Sequence, residues 1–491
     1  MQKLTHLLFL LLPFFGFAQS DTIAHLYTFG GIGIDVGESI EATSDGGYII
    51  IGSNSTNTTG NTDVYLLKVD SLINIEWSYS LGGTNNDWGY AVKQTYDKGY
   101  ITATSSNSYG NGGYDAVLMK RDSLGNYEWT KRYGGNDWDF VYDLTITYDS
   151  GFVFCGETYN NTAGQSDVFV VRTNKNGDTL WTKTIGGNLI DKGNSIIETS
   201  DSSIVIAGLT NTTTDSTQAY IIKLSKTGQL LWDSAYGGGN GYDMANSVIE
   251  TANGEYVIAG TTTSYNANND KDFYLARTDN NGTLIWQSNF GNPGEEEIFE
   301  VYEDNIGNLI NVGFTKAAGA GGKDAELFYI GASGWWVGIS PTYGTSLDEW
   351  FKSFAIGLNG NFCMLGTTNS YGNGLNDVFI VRVDTIFANQ PIILITFNDS
   401  IPLTINDTKN NSIISIYPNP TQQFLMISIS EIKGNTPYFF ELYDLQGKSI
   451  LKKEITNTST TLNLSQLSKQ FYVFKLFKED EIISTGKLIV N

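Results

Sequence analysis

Histidine, cysteine and proline are scarce in this chain of 491 residues, which contains 2 His, 2 Cys and 8 Pro. With so few histidines, neither a Ser-His-Asp set nor a zinc-ligand spacing is present. Cys155 and Cys363 fall in strand-like segments of the third and seventh of the repeats described below. Repeats that far apart around a ring cannot bring the two Cα atoms within bridging distance, so we expect two buried thiols rather than a disulfide. No spacing singles out a carboxylate pair for glycoside cleavage, so the sequence gives catalysis little support.

Basic residues are also in deficit, because 29 Lys and Arg stand against 52 Asp and Glu, a formal net charge of -23. The excess lies between residues 19 and 411, which contain 45 acidic and 20 basic side chains. Such a surface repels phosphate backbones and anionic membranes, so we predict no nucleic-acid partner. It remains compatible with cations, neutral glycans and basic protein patches.

Long apolar runs are almost absent, and the one candidate lies at the amino terminus. Residues 7–15 are apolar, Lys3 precedes them and Ala18 follows them. The run is too short to span a bilayer. We interpret residues 1–18 as a cleaved secretory signal, expect a secreted protein, and predict no transmembrane segment elsewhere.

What the sequence does contain is a repeat of about 52 residues. A Gly-Gly marker, degenerate in its last two copies, recurs at steps of 52, 52, 52, 51, 54 and 53 residues: Gly30, Gly82, Gly134, Gly186, Gly237, Gly291 and Gly344. Each copy holds four strand signals bounded by turn-forming Gly, Asp and Asn. A single four-stranded sheet cannot bury both of its faces, but seven sheets packed around a ring can. The repeat therefore predicts an all-β fold, a seven-bladed β-propeller over residues 21–386.

The two ends of the repeat region complement each other. Residues 25–29 read as a fourth strand without a blade, whereas the seventh copy ends after its third strand at residues 378–383. We therefore predict that the amino-terminal segment completes the seventh blade and closes the ring, which removes an exposed sheet edge.

After a predicted linker at residues 387–411, residues 412–491 alternate strand and turn signals and predict a small β-sandwich. This domain resembles the type A carboxy-terminal sorting domain of the type IX secretion system. The resemblance rests on an opening motif, a hairpin turn and a basic-apolar tail, namely Tyr417, Pro418, Asn419, Pro420, Tyr443, Asp444, Gly447 and Lys487. It implies export by the type IX secretion machinery as a partner, followed by release or attachment at the outer cell surface.

The repeats also resemble bacterial quinoprotein-like propellers through an Asp-x-x-Gly-x-x-x-Trp pattern, as in residues 122–129 and 279–286. In that family the Trp packs between blades. The resemblance does not extend to a cofactor, and we expect none.

Strand alternation places the loops between second and third strands on the same face as the crossovers between blades. Loops on a rigid scaffold are the usual place for binding, so we expect the partner on this face. An acidic residue follows each marker, and together these residues would form a ring able to hold Ca²⁺: Asp35, Asp87, Asp139, Asp191, Asp243, Glu296 and Asp348. The alternative is that each carboxylate fixes its own turn.

Aromatic residues near the same crossovers are candidate platforms for sugar rings: Trp88, Trp138 and Trp350. Packing between blades is the alternative for these three. Tyr109 and Tyr371 lie in nearly identical loops and are expected to be more exposed.

Three hypotheses for function remain open. The first is a monomeric, secreted binding module for glycan or protein. The second is a polysaccharide-active enzyme that uses the acidic residues at the channel mouth. The third is a structural component of the cell surface.

Overall fold

The computed structural model describes residues 22–55, 61–110, 112–160, 162, 164–213, 216–239, 241–265, 269–337, 341–358, 360–372, 374–383, 392–396, 414–417, 424–429, 438–443, 448–468, 470–478 and 481–490. The predicted signal peptide lies outside these residues. The chain divides into two units, residues 1–405 and 406–491.

Every regular element in the described part of the chain is a strand. In the first unit these are β1(Thr22–Phe29), β2(Asp35–Ala42), β3(Tyr48–Asn54), β4(Asp63–Val69), β5(Ile75–Leu81), β6(Asp87–Gln94), β7(Tyr100–Ser106), β8(Asp115–Arg121), β9(Tyr127–Tyr133), β10(Asp139–Ile146), β11(Phe152–Thr158), β12(Asp167–Thr173), β13(Thr179–Ile185), β14(Asp191–Glu198), β15(Ile204–Thr213), β16(Ser216–Leu224), β17(Leu230–Tyr236), β18(Asp243–Glu250), β19(Tyr256–Thr262), β20(Asp272–Thr278), β21(Leu284–Phe290), β22(Glu296–Glu303), β23(Leu309–Thr315), β24(Asp324–Ile330), β25(Thr342–Tyr343), β26(Glu349–Ile356), β27(Phe362–Thr368), β28(Asp377–Val383) and β29(Ile392–Thr396).

These strands form seven antiparallel blades, which confirms the predicted propeller. Six blades are consecutive four-stranded meanders, beginning with β2-β3-β4-β5 and ending with β22-β23-β24-β25. The innermost strands contact one another from blade to blade, and β2 of the first blade contacts β26 of the seventh. A hydrogen bond from the Ile40 N–H to Ser353 Oγ, 3.3 Å long, joins these two strands.

The seventh blade is completed by the amino-terminal strand, as predicted. Strand β1 pairs antiparallel with β28 in a register that runs from Ala24 opposite Val383 to Phe29 opposite Val378. The ring is therefore shut by main-chain hydrogen bonds between the two ends of the propeller. The predicted linker also contains a strand, since β29 pairs in parallel with the outer edge of β1.

The second and third strands of each blade form the core. In β3 and β4 every side chain is buried, whereas the outermost strand β5 is partly or fully exposed. Both faces of the central strands are covered because neighbouring blades pack on either side, which is what their aliphatic and aromatic sequences require. Cys155 and Cys363 are both buried thiols in this core and form no disulfide, as expected.

The repeated Trp side chains pack between blades, as the resemblance to quinoprotein-like propellers implies. Each lies against the glycine of the next blade's turn between third and fourth strands. Gly177 adopts a φ of +77°, and a Cβ atom there would stand 2.8 Å from the Trp129 ring. Only glycine combines this left-handed backbone with the close approach of an indole ring. The same contact joins Trp77 to Gly125, Trp181 to Gly228, Trp232 to Gly282 and Trp286 to Gly334.

A buried basic residue near the end of the third strand ties several blades to their short Asp-containing turns. Lys68 is almost fully buried, and its Nζ lies 3.1 Å from Asp45 and 2.9 Å from Glu76. In the third blade Arg172 is equally buried, and its guanidinium lies 2.8 Å from Asp149. A cation is tolerated in this core because carboxylates at the blade's end neutralise it.

A β-bulge in each innermost strand turns one side chain towards the next blade. In β10 the register shifts between Val141 and Asp143, and Asp143 Oδ2 then accepts the Ile196 N–H at 2.9 Å. Glu300 Oε2 accepts the Phe354 N–H at 2.7 Å in the same way. Burial raises the pKa of Glu300 to about 7, although Lys93 acts in the opposite direction.

The second unit contains β30(Ile414–Tyr417), β31(Phe424–Ile429), β32(Tyr438–Tyr443), β33(Ser449–Ile455), β34(Ser459–Asn463), β35(Gln470–Lys478) and β36(Glu481–Val490). They form two antiparallel sheets, β30-β31-β34 and β33-β32-β35-β36. Leu425 from the first sheet and Phe440 and Leu476 from the second share one apolar core, as expected for the predicted sandwich. Across the described residues, no helix is long and apolar enough to cross a membrane.

Gly177→Ala should destabilise the propeller more than Gly254→Ala. Both glycines have positive φ, +77° and +75°, so both variants carry the cost of about 1–2 kcal/mol for a left-handed alanine. Nothing lies within 4 Å of a Cβ on Gly254. The Gly177 variant should lose a further 1–3 kcal/mol, roughly, because the new methyl meets Trp129. Urea unfolding of both variants measures this difference, and equal losses would contradict the proposed packing role.

Glu300→Gln should reduce the loss of stability that accompanies a rise in pH from 5 to 8. The folded pKa of about 7 lies above the ordinary value of 4.5. The stabilising contribution of this carboxyl is therefore complete below pH 4.5 and is lost as the pH rises through 7. Glutamine still accepts the Phe354 N–H and does not ionise. The free energy of unfolding should fall between pH 5 and pH 8 by about 2 kcal/mol less in the variant than in the wild type. The exposed-carboxyl control Asp137→Asn should keep the wild-type slope, and an unchanged slope in Glu300→Gln would refute this assignment.

Candidate functional site

The loops between second and third strands lie beside the crossovers between blades, as strand alternation predicts. Main-chain hydrogen bonds join the two sets: the Asn107 N–H donates to Asn86 O at 2.9 Å, and the Tyr159 N–H donates to Trp138 O at 2.8 Å. We call this the loop face. Its polar loops are therefore held on the ends of the rigid blades.

Six of the seven acidic residues expected to ring the channel stand at the first position of the innermost strands and are buried. Asp87 accepts the Gly83 N–H at 2.8 Å and the Ser108 hydroxyl at 2.6 Å. Asp139 and Asp191 accept the N–H of Gly135 and Gly187 in the same way, each at 2.7 Å. These bonds fix the crossover turns, which is the role that the alternative to cation binding assigns to these carboxylates. Asp35 and Asp243 accept the corresponding glycine N–H, and Glu296 accepts the Thr315 hydroxyl.

The seventh member of this series needs a correction. The innermost strand of the seventh blade begins at Glu349, not at Asp348. Glu349 accepts the Thr345 N–H at 3.0 Å and the Thr368 hydroxyl at 2.9 Å, in the pattern of the other six. Asp348 lies one residue earlier, in the crossover, where it accepts the Lys323 N–H at 2.8 Å. Glu349 follows Gly344 at the same spacing at which Asp87 follows Gly82, so the acidic position keeps its place in this repeat.

Among the residues that the structure describes, no group of three or more His, Cys, Asp or Glu side chains is arranged to hold a metal ion. Cation binding by a ring of all seven acids stays a prediction.

Aromatic side chains of the second and third blades gather on the loop face. Trp138 is half exposed, and its ring lies 6.0 Å from Tyr114, 6.0 Å from Phe140 and 5.9 Å from Tyr159, measured between centroids. Trp88 joins them by donating from Nε1 to the Tyr114 hydroxyl at 3.3 Å. We call these five residues the rim patch. Two sequence-predicted candidates, Trp88 and Trp138, are thus brought together.

The other three candidates lie apart from this set of contacts. Tyr109 is about half exposed, as expected, and its hydroxyl donates to Gly82 O at 3.0 Å. Trp350 lies beside Lys323, whose Nζ is 5.7 Å from the indole ring. Tyr371 is more buried than predicted, because its ring stacks on Phe379 of the seventh blade's core at 6.3 Å.

The rim patch continues into the centre of the ring. Phe140 stacks on Tyr142 at 6.1 Å, and the Tyr142 hydroxyl donates to Glu157 Oε1 at 2.6 Å. Lys192 Nζ stands 3.8 Å from the centroid of the Tyr142 ring. Burial lowers the pKa of Lys192 and raises that of Tyr142. A carboxylate and an amine therefore stand beside the aromatic surface.

A cavity of about 550 Å³ lies between the innermost strands. Its lining carries both signs of charge. Lys93 lies 3.2 Å from Glu41, and Lys352 lies 3.9 Å from Glu38. Burial raises the pKa of Glu38, and Lys352 limits that rise. These contacts make the cavity wall polar.

Sequence reasoning missed most of the rim patch and the residues next to it. Tyr114 and Tyr159 occupy positions that are not aromatic in the other repeats, so periodicity alone did not mark them. Phe140 occupies the position of Trp88 and Trp350 and was overlooked. The signal of all three residues is local, since the second and third copies carry aromatics at both the loop and the first strand. Glu157 and Lys192 were not singled out because two separate blades supply them.

The sorting-motif residues fall partly in the described strands. Tyr417 ends β30, Tyr443 ends β32 opposite Val473, and Lys487 lies on β36. The remaining motif residues, Pro418, Asn419, Pro420, Asp444 and Gly447, lie outside the described residues.

Comparisons with known proteins bear on both units. Residues 415–491 match the family model described as a secretion system C-terminal sorting domain. Residues 251–284, in the fifth blade, match a β-propeller domain of unknown function. No curated protein matches the chain.

Solved structures similar to this chain include propellers at low identity. PorZ, a surface component of the type IX secretion system of Porphyromonas gingivalis, is 10% identical with a TM-score of 0.30, over 94% of this chain and 74% of that one. The propeller domain of the Trilobed protease of Pyrococcus furiosus is 8% identical with a TM-score of 0.44, over 75% and 95%. An α-L-arabinanase of Penicillium chrysogenum is 11% identical with a TM-score of 0.38, over 60% and 92%.

The carboxy-terminal match confirms the predicted sorting domain. A sorting domain of this kind directs its carrier through the type IX secretion system to the cell surface or the extracellular space. The chain is therefore a β-propeller exported as cargo of the type IX secretion system.

Proposed function

We propose that the exported propeller is a binding module that recognises a glycan through the rim patch on its loop face. The observation that carries the proposal is the contiguous aromatic surface around half-exposed Trp138. An exposed aromatic ring offers a flat apolar area for the C–H face of a sugar at little conformational cost. Aromatic residues exposed singly are common on protein surfaces, whereas a contiguous exposed cluster marks an interaction site.

Polar groups next to the rim patch suit the hydroxyls of a sugar. Glu157 accepts from Tyr142 through one oxygen and from the Ser166 hydroxyl at 3.2 Å through the other. Lys192 lies over the same tyrosine. A few placed donors and acceptors beside aromatic walls are typical of small-molecule and glycan sites.

The scaffold favours binding without large rearrangement. The Trp138 carbonyl accepts the Tyr159 N–H, so the crossover and the loop that carry these rings are joined by the main chain. Pre-organised side chains lose less conformational entropy on binding. The net negative charge of the chain also favours a neutral or cationic glycan over an acidic one.

Trp138→Ala should weaken glycan binding about tenfold or more, because truncation removes the central ring of the patch. A glycan array probed with the full chain identifies a ligand, and calorimetry then gives the dissociation constants of wild type and variant. The matched control is Trp335→Ala. Trp335 is 73% exposed but follows the third strand of the sixth blade, on the opposite face, so its loss should leave the affinity unchanged.

The proposal fails if no glycan binds, or if Trp138→Ala and Trp335→Ala bind equally well. Release of new reducing ends from a bound polysaccharide would instead favour the enzymatic hypothesis.

A further inference from the structure

Six of the seven blades carry a second buried acidic position besides the one that heads the innermost strand. The third strand of six blades begins with a buried aspartate: Asp63, Asp115, Asp167, Asp272, Asp324 and Asp377. In the fourth blade the same position is Gln218, in β16. The contacts of Gln218 indicate what the aspartates at this position bind.

The two acidic positions meet at the first glycine of the marker. A Cβ atom on Gly344 would stand 2.2 Å from Asp324 Oδ1 and 2.6 Å from Glu349 Oε2, so these oxygens are no more than about 4.8 Å apart. At Gly186 the corresponding distances, to Asp167 and Asp191, are 2.3 and 2.7 Å. Carboxylates of adjacent blades are therefore paired at buried positions, where two negative charges close together are costly.

Gln218 shows which kind of group these oxygens accept. Its Nε2 donates to Gly238 O at 2.7 Å, to Thr217 O at 3.2 Å and to Asp243 Oδ2 at 3.3 Å. It also lies 3.2 Å from Ser216 Oγ. One electropositive nitrogen thus stands among four oxygens. Glutamine is one methylene longer than aspartate. An aspartate at the position of Gln218 would therefore not reach the point that Nε2 occupies, and a bridging group would have to fill it.

Asp324 has an oxygen aimed at this point. The side chain is 1% exposed, and its Oδ2 accepts the Ala320 N–H at 3.1 Å. Its Oδ1, the atom that faces Gly344, is buried and has no hydrogen-bond partner within the described part of the chain. A buried carboxylate oxygen without a donor indicates a missing positive partner.

We propose that each of the six carboxylate pairs binds one divalent cation of the Ca²⁺ class, and that the Gln218 side chain replaces that ion in the remaining site. Ca²⁺ prefers carboxylate and main-chain carbonyl oxygens, and extracellular modules bind it at about 10⁻⁴–10⁻³ M. In the Gln218 site the carbonyls of Thr217 and Gly238 already face the ligand position. Each ion would join the loop of one blade to the crossover into the next.

One of these pairs adjoins the rim patch. Asp115 directly follows the loop residue Tyr114, and Asp139 directly follows Trp138 in the crossover. An ion held by this pair would fix both aromatic residues. The cation proposal does not depend on glycan recognition, because ions are counted without any glycan.

The ion count of single variants tests the proposal. Equilibrium dialysis of the full chain against radioactive Ca²⁺ at about 10 mM, roughly ten times the weakest expected dissociation constant, should give about six ions per wild-type chain. Asp324→Gln, which copies the natural Gln218, should lose one ion, and Gln218→Asp should gain one. The exposed-acid control Asp137→Asn should keep the wild-type count.

Thermal unfolding provides a second readout. Ca²⁺ should raise the unfolding temperature of the wild type, and it should raise that of Gln218→Asp by more. Asp324→Gln remains informative if Gln218→Asp does not fold, since the fourth blade shows that glutamine is accommodated at this position. Binding of less than one ion per wild-type chain, or identical counts in wild type and Asp324→Gln, would overturn the proposal.

Discussion

The antiparallel pairing of β1 with β28 is the constraint on which the propeller depends. Without it the seventh blade would present β28 as an unpaired edge, and the first and last blades would be joined only by packing. The pairing makes the ring a closed object whose loops hold fixed positions. Everything inferred about the loop face assumes this closure, because two blades support a common surface only if their innermost strands stay adjacent.

Within the ring, polar contacts at the ends of the strands organise the repeats as much as the apolar core does. On one face a buried Lys or Arg holds an acidic turn, as Lys68 holds Asp45. On the loop face a carboxylate such as Asp87 holds the glycine crossover. The apolar core is built in a similar way in every blade, whereas these contacts at the strand ends set where each loop begins. The loops are therefore free to vary, and in the second and third blades they carry the rim patch.

The sequence predicted the features that recur in every repeat. Blade number and ring closure follow from spacing and residue type, and the packing of Trp129 between blades follows from the resemblance to quinoprotein-like propellers. The sequence analysis missed Glu349, which keeps the regular spacing from the marker glycine and heads the innermost strand of the seventh blade, where Asp348 was predicted. It also did not predict that Tyr371 turns inward to stack on Phe379. Arg172, which the sequence analysis did not single out, is buried because its carboxylate partner neutralises it. Only Trp88 and Trp138 of the rim patch were predicted, because Tyr114 and Tyr159 have no aromatic counterparts at the same positions in other repeats.

Hydrogen–deuterium exchange of the intact protein, followed peptide by peptide, tests the closed ring most directly. Amides of residues 24–29 should exchange as slowly as those of β28, because both strands share one hydrogen-bonded ladder. Their protection should also match that of interior strands such as β3. Complete exchange of residues 24–29 within seconds, while the other blades remain protected, would contradict the closed ring and with it the assignment of the loop face.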